Sequence, residues 1–373
     1  MKATFKKILS AKAALSLVVT FVAALSASTA ATARELRVYN WEGYIGPKTV
    51  EKFEKETGIK VTYDLFDSWE TLEAKLLAGN SGYDAVNVGG LFITRQVGAG
   101  VYLPLDTSKL SNWKNLDPGA LKGLSAYDPG VAQGAPHGVP YSYYTIGVGY
   151  NVDMINKAAP KAPVDSWAML YDPAVASKFQ SCGYVLLDSA VDVFSSVLIY
   201  LKLDPFTVNR TDYQAAEDQL MKVRPFVRTF DANQYWSDLA QGEICISLGW
   251  SGDIISGQDF AKKGVTLKYS LPKEGTTIES DMFGIPNDAP HKAEAYEWLN
   301  FLMRPDIGAD FTNYAGYPSS MTASKALTRK EFRESNGVYP TAADMEKFYK
   351  TKQLSSTINR LRTRVWTKIK TGV

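Results

Sequence analysis

Leu36-Arg37-Val38-Tyr39-Asn40-Trp41-Glu42-Gly43-Tyr44 is the most telling stretch for the architecture, because it has the composition of a strand that ends in an aromatic, glycine-containing tip. The spacing from Pro47 to Thr57 predicts a helix, and Gly58 stands in the stop position. Further along, the patterns predict a strand over 60–65, a helix over 68–77 and a strand over 85–88. This alternation is typical of a parallel sheet covered by helices on both faces.

A second set of strands and helices follows Pro140. The patterns predict strands at 146–151 and 184–187, a strand opening at Ile244, and helices at 166–170, 191–201, 212–223 and 235–241. After Pro272 a short strand over 281–286 precedes a helix over 293–303, and the tail from Thr341 is amphipathic and basic. Together with the length, this organisation predicts two α/β domains, each able to bury a core.

The first 33 residues have the composition of an export signal. Four lysines precede an apolar run, Ala13 to Leu25. After the run, Ala31-Thr32-Ala33 fits the small-x-small cleavage rule. The run is too short for a stable membrane span. Removing residues 1–33 takes away four lysines and no acid, so the formal charge changes from +2 to −2. We therefore expect a soluble protein outside the cytoplasm with no nucleic-acid partner.

The chain has two cysteines, Cys182 and Cys245. In an oxidising compartment such a pair predicts one disulfide that closes a loop of roughly 60 residues, worth about 4 kcal/mol at most in the chain-entropy model. Two free thiols are the alternative.

The run Ile244-Cys245-Ile246-Ser247-Leu248-Gly249-Trp250-Ser251-Gly252-Asp253 predicts a buried strand that leaves an indole beside a carboxylate. This pair suits an organic cation, because the Trp250 face offers cation–π attraction and Asp253 offers charge-assisted hydrogen bonds. The alternative is a core tryptophan next to a helix-capping aspartate. Trp41, Glu42 and the pair Gly89-Gly90 should lie beyond the carboxyl ends of their strands, where ligands bind in such sheets.

Signatures of catalysis are weak in this sequence. The two histidines, His137 and His291, lie in predicted loops without the spacing of a metal site. Gly249-Trp250-Ser251-Gly252 does not complete a nucleophile elbow, and neither a phosphate loop nor a dinucleotide fingerprint follows the first strand. We expect no enzymatic activity, no cofactor and no metal.

Short segments spread over the whole chain after residue 33 carry a family resemblance. They are Val38–Trp41, Glu56–Val61, Ser81–Asp84, Val139–Tyr141, Gly147–Asn151, Arg224-Pro225, Gly249–Asp253 and Arg360–Lys368. In order and spacing they resemble the periplasmic polyamine-binding proteins of bacterial ABC importers, in particular the putrescine-binding branch. The resemblance implies an α/β fold of two lobes, type II-like, joined by a hinge of crossing strands, with the ligand enclosed between the lobes. The expected lobes are 34–139 plus 275–318 and 140–274 plus 319–373.

The resemblance also implies ligand contacts. Aromatic and acidic residues at matching positions are Trp41, Tyr44, Trp250, Asp253, Asp281 and Tyr317. Further candidates stand where the chain departs from the family or in its acidic helix-start region: Glu42, Gly89, Gly90, Tyr143, Asp192 and Glu279. Glu279 replaces a common aromatic residue, Gly89 a typical serine and Trp69 a common asparagine. Carboxylates at the ammonium ends and aromatic faces along the methylenes are what a diamine needs.

The expected function is therefore capture of a polyamine, putrescine or spermidine, by a monomeric periplasmic protein that hands it to a membrane ABC permease. One alternative is an altered amine, such as an ω-amino acid or a polyamine derivative, whose anionic or neutral end uses the glycine tip. A second alternative is a ligand-sensing protein without a transport role.

Overall fold

The computed structural model describes residues 34–372, so the predicted export signal, residues 1–33, lies outside the described residues. The described part of the chain contains ten strands that follow one another along the sequence. They are β1 (Glu35–Trp41), β2 (Lys60–Phe66), β3 (Ala85–Gly89), β4 (Gly138–Asn151), β5 (Tyr184–Leu186), β6 (Val227–Phe230), β7 (Ile246–Trp250), β8 (Leu267–Ser270), β9 (Thr276–Gly284) and β10 (Phe348–Lys350).

The first strands form the parallel sheet that the sequence predicts. β1 pairs in parallel with β2 and β3, and the first helix ends at Gly58, whose φ of 72° is the left-handed conformation that glycine adopts most readily. The sheet is mixed rather than purely parallel, because β9 returns antiparallel to β3. The start of β9 also pairs in parallel with β10.

Strand β4 belongs to two sheets. Residues Gly138–Thr145 pair with β9, and Ile146–Tyr150 pair with β7, which continues in parallel through β5 to β6. The pattern predicted a strand only over 146–151. The missing first half contains Pro140 and a register shift between Pro140 and Ser142, and both interrupt the alternation that identifies a strand.

Helices pack on the sheets, and the long predicted ones lie within two residues of their expected bounds. The helices of the described chain are Thr49–Thr57, Trp69–Leu77, Gly90–Gly98, Pro118–Tyr127, Val152–Ala158, Ala168–Tyr171, Pro173–Ala176, Ala190–Tyr200, Arg210–Val223, Tyr235–Gln241, Ser251–Gly257, Lys292–Leu302, Pro305–Ala315, Ser324–Leu327, Lys330–Arg333, Ala342–Met345 and Ser356–Thr371. Among the helices that the patterns did not predict, Gly90–Gly98 and Ser251–Gly257 begin directly at the end of a strand and carry glycine in their first turn.

Buried apolar side chains form separate clusters around the two sheets. One pair of clusters covers the two faces of the sheet that contains β1, β2 and β3. Another surrounds β5, β6 and β7, and the last helix contributes Val365, Trp366 and Ile369 to it. The tail helix is also held by Arg224, whose guanidinium donates to the carbonyl oxygens of Ile369 and Lys370.

The predicted disulfide is confirmed. Cys182 and Cys245 are bonded, 63 residues apart, with their Cα atoms at 5.5 Å. The bond joins the turn before β5 to the residue before β7, so it fixes the centre of the second sheet. Between residues 34 and 372, every helix is too short or too polar to cross a membrane.

Candidate ligand-binding site

Two acidic residues of β9, Glu279 and Asp281, point to the same face of the sheet because they are two positions apart. Their partners in β4 are Tyr144 and Ser142. The Tyr44 hydroxyl donates to Asp281 Oδ2 over 2.9 Å, whereas Asp281 Oδ1 is buried without a hydrogen-bond partner. Asp281 is 3% exposed and therefore presents an unsatisfied carboxylate oxygen inside the protein.

Glu279 is held by two neutral donors. Its Oε1 accepts a hydrogen bond from the Leu91 backbone N–H over 3.2 Å, and its Oε2 accepts one from the Tyr144 hydroxyl, also over 3.2 Å. Leu91 lies in the first turn of the helix Gly90–Gly98, where the partial positive charge of the helix dipole favours an anion. The helix that begins at Gly90 therefore offers a backbone N–H, and the Glu279 carboxylate accepts a hydrogen bond from it.

Both carboxylates are electrostatically uncompensated by the protein. Burial, together with the nearby Asp281 charge, raises the pKa of Glu279 to about 8. Burial raises the pKa of Asp281 to about 7, although the bond from Tyr44 opposes the shift. Within residues 34–372, neither carboxylate forms an ion pair with a lysine, arginine or histidine.

Asp253 lies in the helix Ser251–Gly257, which begins directly after β7. Its Oδ1 accepts a hydrogen bond from the Tyr317 hydroxyl over 2.5 Å, and its Oδ2 accepts one from the Tyr235 hydroxyl over 2.7 Å. Burial raises its pKa, and these two hydrogen bonds oppose the shift. The phenol contacts replace the helix-capping role that was the alternative for Asp253.

Trp250 connects the end of β7 to a further acid. Its indole Nε1 donates to Asp192 Oδ2 over 3.2 Å, and Asp192 lies in the first turn of the helix Ala190–Tyr200. Burial raises the pKa of Asp192, and hydrogen bonds from Ser189 and Trp250 offset part of that effect. Arg362 of the tail helix also lowers the pKa of Asp192 through its charge.

Aromatic rings connect these acids. The Tyr317 ring lies edge-on to those of Tyr44 and Tyr144, with centroids 5.3 and 6.4 Å away. Trp41 packs edge-on against Trp69 with centroids 4.9 Å apart. Flat aromatic surfaces beside carboxylates can hold both the methylene chain and the charged ends of an organic cation.

The two glycines of the tip are required by close approach. Gly89 pairs with Asp281, and a Cβ on Gly89 would lie 3.2 Å from the Trp69 ring and 3.3 Å from Glu279 Oε1. A Cβ on Gly90 would lie 2.8 Å from the Tyr127 ring. Side chains here would displace the aromatic and acidic groups around them.

Two predicted contacts lie apart from this group. Tyr143 pairs with Ser280, so its side chain points to the opposite face of β4 from Glu279 and Asp281. Glu42 is exposed in the turn after β1. Tyr144 takes the place expected for Tyr143, because the strand alternates and a shift of one residue reverses the face.

Two phenols at the site were not among the sequence candidates, Tyr144 and Tyr235. A strand extended back through Thr145 would have included Tyr144, which pairs with Glu279 in the structure. Tyr235 opens a helix, and no local signal distinguishes it from a core tyrosine. Between residues 34 and 372, no cluster of three or more histidine, cysteine or acidic side chains is arranged to hold a metal ion.

Comparison with known proteins identifies the family of the chain. A family model described as "Bacterial extracellular solute-binding protein" matches residues 48–338. The chain belongs to this family. Two relatives of this solute-binding protein match it over nearly their whole length.

Among the relatives of this solute-binding protein is the putrescine-binding periplasmic protein PotF of Escherichia coli (strain K12), which is 44% identical and covers 100% of both chains. The putrescine-binding periplasmic protein SpuD of Pseudomonas aeruginosa (strain UCBPP-PA14) is 45% identical over 92% of this chain and 94% of its own.

A solved structure also matches, that of the spermidine/putrescine ABC transporter substrate-binding protein PotD from Streptococcus pneumoniae. Its TM-score is 0.78 at 24% identity, over 91% of this chain and 99% of that one. At this identity the likeness shows the fold alone, and it confirms the predicted two-lobed α/β architecture of a periplasmic binding protein.

Proposed function

We propose that this solute-binding protein captures a polyamine, putrescine or spermidine, in the periplasm and delivers it to an ABC permease. The observation that carries the proposal is the buried pair Glu279 and Asp281, which faces aromatic rings and has no basic partner in the described chain. A buried carboxylate without a counter-ion is unfavourable, so the natural partner is a cationic ligand.

The names of the relatives agree with this chemistry. PotF and SpuD are called putrescine-binding periplasmic proteins, and each is more than 40% identical to this chain. The periplasmic location of these relatives also supports export of this chain, with residues 1–33 as its signal.

The binding mode follows from the geometry of the site. One ammonium group of the ligand would bond to Asp281 Oδ1, which lacks a donor, and another would bond to Asp253. The methylenes between them would lie against Trp250, Tyr44 and Tyr317. Phenolic donors leave lone pairs on both carboxylates, so an ammonium can join the existing hydrogen bonds rather than replace them.

Closure would couple binding to delivery. In this proposal, the lobes are 34–139 plus 275–318 and 140–274 plus 319–373, and β4 crosses from one lobe to the other. Asp281 and Asp253 then lie in different lobes. A ligand that contacts both acids binds the closed form more tightly and shifts the population toward it, and the permease recognises that form.

Calorimetric titration tests the proposal. Purified protein, stripped of ligand by partial unfolding and refolding, is titrated with putrescine, spermidine and an ω-amino acid. We expect saturable binding of at least one polyamine, and a loss of several kcal/mol in Asp281→Asn, because one ammonium group is left without its counter-charge. Glu42→Gln is the matched control, since Glu42 is exposed and should leave affinity unchanged. Absence of binding to both polyamines would refute the proposal, and binding of the ω-amino acid alone would replace it.

A further inference from the structure

Glu279 adds a third carboxylate to the pair that a diamine requires. It is 7% exposed, and charged or titratable groups face it from several elements. Asp281 lies on its own strand, Asp192 on the helix Ala190–Tyr200, Tyr144 on β4 and Tyr127 at the end of the helix Pro118–Tyr127. The nearby charges are negative, so the Leu91 and Tyr144 hydrogen bonds favour an ionised Glu279 but no positive charge in the described chain does.

Specific contacts hold the Glu279 side chain in its position. Leu91 N–H and the Tyr144 hydroxyl fix its two oxygens, and the absence of a side chain on Gly89 lets Glu279 Oε1 and the Trp69 ring approach. Both donors are neutral, so they orient the carboxylate and lower its pKa in part, but they supply no positive charge. Each oxygen keeps a further acceptor site for a ligand.

The charges around the site can be counted. Its buried carboxylates are Asp192, Asp253, Glu279 and Asp281. Arg362 acts on Asp192, which leaves three acids to be matched by the ligand. A diamine supplies two cationic nitrogens and a linear triamine supplies three. The unpartnered Asp281 Oδ1 is a buried acceptor on the same face of β9 as Glu279, and it can accept a hydrogen bond from a ligand.

We propose that Glu279 determines specificity by pairing with a third cationic nitrogen, so that the pocket prefers linear triamines to diamines. This inference rests on the proposed function. When a diamine binds, Glu279 keeps its proton and acts as a neutral lining group. When a triamine binds, Glu279 is ionised and forms a charge-assisted hydrogen bond.

The test is titration of the unmodified protein and Glu279→Gln with putrescine and spermidine at pH 8. Glutamine keeps the size of the side chain and its acceptor for Leu91, but it carries no charge. We expect spermidine affinity to fall about 10- to 100-fold, the range for a hydrogen bond to a charged group, while putrescine affinity changes by less than about threefold. The control is Glu42→Gln, which should change neither affinity. Equal losses for the two ligands, or an unchanged spermidine affinity, would overturn the inference.

A second measurement needs no variant. In the unmodified protein, the preference for spermidine over putrescine should fall by more than about tenfold between pH 8 and pH 6, because only the triamine requires an ionised Glu279. A preference that is constant with pH would count against the role of Glu279. Loss of all amine binding would instead refute the proposed function, so the two failures are distinguishable.

Discussion

Lowering the pH from 8 to 6 should strongly weaken spermidine binding. In the free protein, burial raises the pKa of Glu279 to about 8 and that of Asp281 to about 7, so both carboxyl groups take up protons over this interval. In the proposed binding mode, spermidine requires both carboxyl groups in the ionised form. Binding therefore releases protons, and protons compete with the ligand as the pH falls.

The magnitude follows from the two pKa values. For two independent groups that must both ionise, the apparent Kd rises about 500-fold between pH 8 and pH 6, which corresponds to about 4 kcal/mol. Glu279→Gln removes one of the two titrating groups, so the apparent Kd of that variant should rise only about 10-fold over the same interval. Putrescine leaves Glu279 protonated and should weaken by about fivefold.

Calorimetry measures both the affinity and the number of protons released on binding. At pH 7, spermidine binding should release about 1.4 protons, detected as a difference in binding heat between phosphate and Tris buffers with different ionisation enthalpies. Glu42→Gln should reproduce the full pH dependence, since its side chain is exposed. A spermidine affinity that is flat between pH 8 and pH 6, with no buffer-dependent heat, would show that the two acids do not exchange protons on binding.

Three further predictions concern stability. Asp281→Asn should raise the melting temperature of the ligand-free protein at pH 8, because a carboxyl with a raised folded-state pKa destabilises the fold above its unfolded pKa; an unchanged or lower melting temperature in scanning calorimetry would contradict this. Gly90→Ala should cost about 1–3 kcal/mol in urea unfolding, because its Cβ meets the Tyr127 ring, whereas Gly98→Ala in the same helix meets nothing within 4 Å and should be near neutral; equal effects would contradict the packing argument. Replacing both Cys182 and Cys245 by serine should lower the free energy of unfolding by about 4 kcal/mol, and a loss below about 1 kcal/mol would show that the bond adds little.

Local patterns predicted the first sheet well. Strand and helix patterns alternate clearly between Leu36 and Val88, and the helices have recognisable capping residues. Ser68 accepts a hydrogen bond from Thr71 N–H as N-cap, and Gly58 ends the first helix. These features depend on neighbours in sequence, so they can be identified without knowledge of the fold.

Long-range pairing was harder to predict. The full length of β9 was not apparent, because Thr276 and Thr277 lead into Glu279 and Asp281, polar residues whose burial depends on β4. The same pairing brings Tyr144 to Glu279 and turns Tyr143 away. Sequence resemblance could name Asp281 and Tyr317, but their contacts with Tyr44 and Asp253 follow only from the tertiary structure.

The exchange of partners within β4 has a practical consequence for biosensing. Pairing changes from β9 to β7 between Thr145 and Ile146, next to Tyr144. If the proposed closure twists the chain at this peptide, the outer ends of the two sheets would move farther than the groups beside it. Leu65 and Val208 are exposed, and both native cysteines are occupied in the disulfide. Cysteines introduced at those two positions would carry a dye pair whose energy transfer reports polyamine concentration without touching the binding site.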